Sequence, residues 1–103
     1  MGGWASLVAA AVTSPRVDAA ISVSTSAEYL TNLLPFVTRL TMPLLFVASK
    51  GDAYIPVDAR RMSDAAPATV KQVTIVAGKE HGLRLIASSQ ATRNVILRFL
   101  ERN

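Results

Sequence analysis

The chain has 103 residues, half of them apolar and 17% charged, with 11 basic and 7 acidic residues for a net charge of +4. That composition argues against disorder and bounds the molecule at one domain with a modest core. With no cysteine and a single histidine, disulfides and thiolate zinc sites are excluded.

The arginines are scattered, without the basic patch and aromatic interleaving that nucleic-acid binding requires. No apolar run approaches the ~18 residues of a membrane span, and no signal peptide precedes the first element. No nucleic-acid or membrane partner is therefore expected, and a cytoplasmic setting is the default. The apolar content is high for so short a chain. Some of this surface is expected to be covered by protein outside these residues.

Gly2 to Val12 is rich in small residues, with Leu7, Val8 and Val12 at helical spacing, and Pro15 closes it. Val17 to Val23 reads as a short strand. Ser24, Thr25 and Ser26 form a polar loop, and Ser26 is placed to cap a helix from about Ala27 that Pro35 breaks. Leu44 to Ala48 is an uninterrupted apolar run, the pattern of a strand buried on both faces. Ala53 to Pro56 is a turn, and Val57 to Ala66 a helix with Asp58 at its N-terminal end. Val70 to Ala77 is a β-branched strand, followed by the loop Gly78 to Gly82. Ser88 or Ser89 caps a last helix, whose stripe is Ala91, Val95, Phe99 and either Ile96 or Leu100. Helix and strand alternate throughout. The expected class is α/β: a three-layer α/β/α arrangement with about three parallel strands and four helices in one partial domain over 1–103.

Asp52 stands just beyond the second strand and His81 just beyond the third. In a parallel sheet both loops emerge at the same edge, where ligands of such sheets bind. Neighbouring strands are about 4.8 Å apart, so the two side chains can meet. A carboxylate accepting the Nδ1–H of the imidazole fixes its tautomer, stabilises the imidazolium and leaves Nε2 as a general base.

This order of acid and histidine on successive strand-end loops resembles the C-terminal part of an α/β-hydrolase. The matching residues are Gly51-Asp52 with Ile55-Pro56, and Gly78-Lys79-Glu80-His81-Gly82. In that family the nucleophile precedes the acid and lies in a Gly-x-Ser-x-Gly elbow between a strand and a helix. The chain holds no such pentapeptide. Met1-Gly2-Gly3 is similar to the tail of an elbow, with the serine one residue before Met1. The resemblance implies an esterase or related acyl hydrolase acting on a small molecule, truncated after its nucleophile, with Asp52 and His81 catalytic. It implies no metal and no cofactor. It gives the backbone of Met1 an oxyanion-hole role, although a chain starting there carries an amine in place of the peptide N–H. Truncation also implies an apolar sheet edge at Val17 to Val23 that invites self-association.

Other serines lack the elbow glycines: Ser6 lies mid-helix, Ser22 is inside a strand, and Ser24, Ser26 and Ser49 are in loops or strand ends. Asp58, Asp64, Glu28 and Glu101 read as helix-surface charges, Asp18 and Glu80 as solvated carboxylates, and Trp4 and Tyr54 as packing residues or a pocket wall. The competing reading is a non-catalytic α/β module that binds or pairs with another chain. A nucleotide-binding half-domain lacks its glycine-rich phosphate loop. The resemblance leaves the nucleophile open among Ser, Cys and Asp, and leaves the substrate open.

Overall fold

A computed structural model describes residues 18–24 and 35–103 of the chain. The expected helix from Gly2 to Val12, most of the helix from Ala27, and Met1, Trp4, Ser6, Thr25, Ser26, Glu28 and Tyr29 lie outside these residues. Three strands form one parallel sheet in the order β1 (Ala20–Val23), β2 (Leu44–Ser49), β3 (Lys71–Val76). The helices are α1 (Ile55–Ala65), α2 (Leu83–Ser88) and α3 (Gln90–Arg102), and a further helical segment runs through 35–37.

β2 is the central strand, and every one of its residues is buried. Side chains alternate across a strand, so its apolar run divides between two cores. Leu44, Phe46 and Ala48 face one cluster with Val37, Leu40, Ile55, Ala59 and Met62. Leu45 and Val47 face another with Val76, Leu85 and Phe99. The first cluster brings α1 against one face of the sheet, and the second brings α2 and α3 against the other. The arrangement is therefore α/β/α. Each large side chain so buried contributes about 1.5–3 kcal/mol.

α1 begins at Ile55, two residues earlier than its periodicity suggests. Pro56 falls within its first two positions, where a missing N–H costs nothing. Ile55, Ala59 and Met62 recur at helical spacing and are buried. Asp58 lies on that same face and is 2% exposed, which corrects its reading as a surface charge. Ala66 leaves the helix in extended conformation before Pro67. The last carbonyls of α1 find a partner from the neighbouring strand: Lys71 Nζ donates to the Ser63 and Ala66 carbonyl oxygens at 2.7 and 2.9 Å.

β1 starts at Ala20, and Asp18, within the expected strand, is an exposed bend. α2 occupies the stretch between the loop ending at Gly82 and the last helix, to which the sequence assigned no element. Only Leu85 of its six residues is buried, so it carries no stripe by which periodicity reveals a helix. Ser89 caps α3, its hydroxyl accepting the Thr92 N–H at 3.1 Å. Arg93 Nη1 donates to the Ile86 and Ala87 carbonyl oxygens at 2.8 Å each and joins the end of α2 to α3. The buried stripe of α3 is Thr92 and Phe99, with Val95 and Ile96 packed beside Phe99. Leu100 is 53% exposed, which settles the choice in favour of Ile96. Among the described residues, no helix is long and apolar enough to cross a membrane.

Candidate functional site

The C-terminal ends of β2 and β3 open into two loops joined side by side. Lys50 N–H donates to the Val76 carbonyl at 2.7 Å, and Gly51 N–H to the Gly78 carbonyl at 2.8 Å. The second contact needs a glycine. A Cβ on Gly51 would lie 2.9 Å from the Gly78 oxygen and 3.0 Å from Lys79 Cβ, closer than side-chain carbons normally approach. The β2 loop then closes on itself, with Asp52 N–H donating to the Ser49 carbonyl and Ile55 N–H to that of Asp52. Ala53 takes a left-handed conformation at φ 45° to make this turn. Asp52 is thus fixed between the end of β2 and the first turn of α1.

His81 lies between two glycines of positive φ, Gly78 at 109° and Gly82 at 61°. Its Nδ1 is 2.6 Å from Asp52 Oδ2. A carboxylate in its ionised form only accepts, so this contact is a hydrogen bond when Nδ1 carries the ring proton. The Asp52 side chain is 16% exposed and that of His81 54%. One member of the pair is therefore held in the protein wall while the other faces solvent. Among the described residues no hydrogen bond involves Nε2, so the second ring nitrogen is left for whatever enters from outside.

The loop around His81 is secured by two serines. Ser49 Oγ donates to the Glu80 carbonyl at 2.6 Å, and Gly82 N–H donates to Ser24 Oγ at 3.0 Å. Both serines are buried, at 0% and 3% exposure. Ser24 has φ 58°, a left-handed conformation uncommon for a residue with a side chain, and its own N–H donates to the Val47 carbonyl at 2.9 Å.

The two residues singled out in the sequence, Asp52 and His81, are thus brought together. Met1, given the oxyanion role, lies outside the described residues, as do Ser6 and Ser26. Ser22, Ser24 and Ser49 are all buried, and among the described residues none is hydrogen-bonded to His81. Sequence reasoning missed the part Ser24 and Ser49 play beside His81. The available signal was their position at the carboxyl ends of two parallel strands, on the same edge as His81. Tyr54 is 49% exposed beside the Asp52 turn, so it is a surface residue and not a packed one. Among the described residues no group of three or more His, Asp or Glu is placed to hold a metal ion.

Comparison of the chain with protein-family models, with curated proteins and with solved structures gave no match.

Proposed function

We propose that Asp52 and His81 are the acid–base pair of an acyl hydrolase, acting on an ester or related acyl bond of a small molecule. The observation that carries this reading is the 2.6 Å contact between His81 Nδ1 and Asp52 Oδ2, with the ring half exposed and Nε2 unengaged. A carboxylate holding Nδ1–H in this way is the arrangement that general-base catalysis by Nε2 requires. The order of the pair along the chain and the place of each at a strand end add to it.

In this mechanism the nucleophile is a hydroxyl outside the 103 residues. As the nucleophile oxygen bonds to the substrate carbonyl carbon, Nε2 of His81 takes its proton. The carbonyl π electrons move to oxygen, where backbone N–H groups, that of residue 1 among them, receive the charge. Collapse of the tetrahedral intermediate breaks the bond to the leaving group, which departs with the proton from Nε2. An acyl-enzyme remains. Water attacks it, gives its proton to Nε2, and the acid is released as the nucleophile regains that proton. Asp52 remains ionised throughout and keeps the ring oriented.

The test is a fluorophosphonate probe, which labels activated serines. The 103-residue chain should resist labelling. A polypeptide that also carries the residues encoded before Met1 should be labelled at a serine within them and should hydrolyse a p-nitrophenyl ester. H81Q should lower that rate about 10²–10⁴-fold. Labelling of the 103-residue chain itself, or no nucleophile in the longer polypeptide, would overturn the reading. The second outcome would leave a binding or pairing module in its place.

A further inference from the structure

We propose that Ser24 and Ser49 are positioning residues for His81, two hydroxyls that hold the peptide groups on either side of it. The proposal rests on the reading of His81 as a general base. It extends that reading from the pair itself to the strands behind it.

His81 is carried by a segment without regular secondary structure, between Gly78 and the start of α2 at Leu83. Two residues of that segment, Gly78 and Gly82, have positive φ. Glycine has the widest backbone freedom of any residue, so such a segment has little stiffness of its own. A general base nevertheless has to keep its reacting nitrogen within hydrogen-bond reach of the proton it removes. The Asp52 contact fixes one ring atom and does not fix the backbone from which the ring extends.

The serines supply that constraint. Ser49 Oγ, at the last position of β2, donates to the carbonyl of Glu80 at 2.6 Å. Ser24 Oγ, just past β1, accepts the N–H of Gly82 at 3.0 Å. The peptide preceding His81 and the peptide following it are therefore tied to two different strands. With both adjoining peptide groups held, the backbone of residue 81 is fixed, and only the side-chain torsions remain for Asp52 to set.

Two features point to a dedicated arrangement. Both serines are buried, so each bond is shielded from water on the serine side. Ser24 also takes a left-handed backbone conformation that places it where Gly82 is met. Backbone conformations of this kind persist where surrounding contacts over-determine them, and they cluster at functional sites. The bond from Ser24 N–H to the Val47 carbonyl is one such contact. The roles are opposite in direction: one hydroxyl donates and the other accepts. Alanine at 49 would leave a carbonyl without its donor, and alanine at 24 an N–H without its acceptor.

The test uses the chain labelled with ¹⁵N-histidine, in which the single histidine gives an unambiguous signal. The quantity measured is the exchange rate of the Nδ1-bound proton with solvent. S24A and S49A should each raise it several-fold, up to about tenfold, as expected when a net hydrogen bond is lost. The control is K71M, a destabilising change at the opposite end of β3, which should leave that rate unmoved in the folded protein. If an alanine variant does not fold, the cysteine variant at the same position is read in its place. Exchange at the wild-type rate in both serine variants, or an equal rise in K71M, would overturn the proposal. The readout needs neither substrate nor nucleophile. Failure of the positioning proposal would leave the hydrolase reading intact, and failure of ester hydrolysis would leave the exchange result interpretable.

Discussion

Gly51 and Gly78 are joined backbone to backbone, the N–H of the first donating to the carbonyl of the second at 2.8 Å. This contact sets the loop that carries Asp52 against the loop that carries His81. It depends on position 51 having no side chain, because a Cβ there would lie 2.9 Å from the Gly78 oxygen. The obstructing atom is backbone, so relief requires a shift of the 78–79 segment itself.

G51A should therefore destabilise the protein by about 1–3 kcal/mol, the usual cost of overpacking. It should also move His81 relative to Asp52. Urea denaturation gives the first effect, and the His81 ring signals in an NMR spectrum give the second. Wild-type stability with unchanged ring signals would show that the loops do not need this close approach.

Lys71 joins β3 to the C-terminal end of α1 through two carbonyls, at Ser63 and Ala66. Methionine keeps most of the apolar stem and removes the charged donor. K71M should cost about 1 kcal/mol, since charge-assisted bonds to helix-end carbonyls contribute on that scale when partly exposed. The denaturation midpoint in urea is the measurement.

Thr92 contributes an unfavourable term. It is fully buried in α3, and among the described residues its hydroxyl has no hydrogen-bond partner. Valine has nearly the same shape and a similar helix propensity. T92V should raise stability by about 1 kcal/mol, because it removes a desolvated and unpaired polar group. A loss of stability would mean that the hydroxyl has a partner in solution.

The parts of the fold legible in the sequence are those where burial leaves a pattern. The run Leu44 to Ala48 announces a central strand because both of its faces are covered, and β2 is that strand. Asp52 and His81 were legible as a pair because parallel topology sends both strand ends to one edge, and the contact between them follows. α2 left no pattern, as a single buried residue cannot set a period. Asp58 was misread by its charge: helical spacing from Ile55 to Met62 puts position 58 on the buried face whatever residue occupies it. The serine contacts to Glu80 and Gly82 were hidden because they join residues 31 and 58 positions apart through backbone atoms, which side-chain identity does not reveal.

The central claim is that Asp52 holds the proton of the neutral His81 ring on Nδ1 and leaves Nε2 as the base. The most direct measurement is the ring ¹⁵N spectrum of the histidine-labelled chain, recorded where the imidazole is neutral, for the wild type and for D52A. With one histidine in the sequence, every ring signal belongs to residue 81. The Nδ1–H tautomer should predominate in the wild type, and D52A should restore the Nε2–H tautomer favoured by free imidazole side chains. The same Nε2–H majority in both proteins would contradict it.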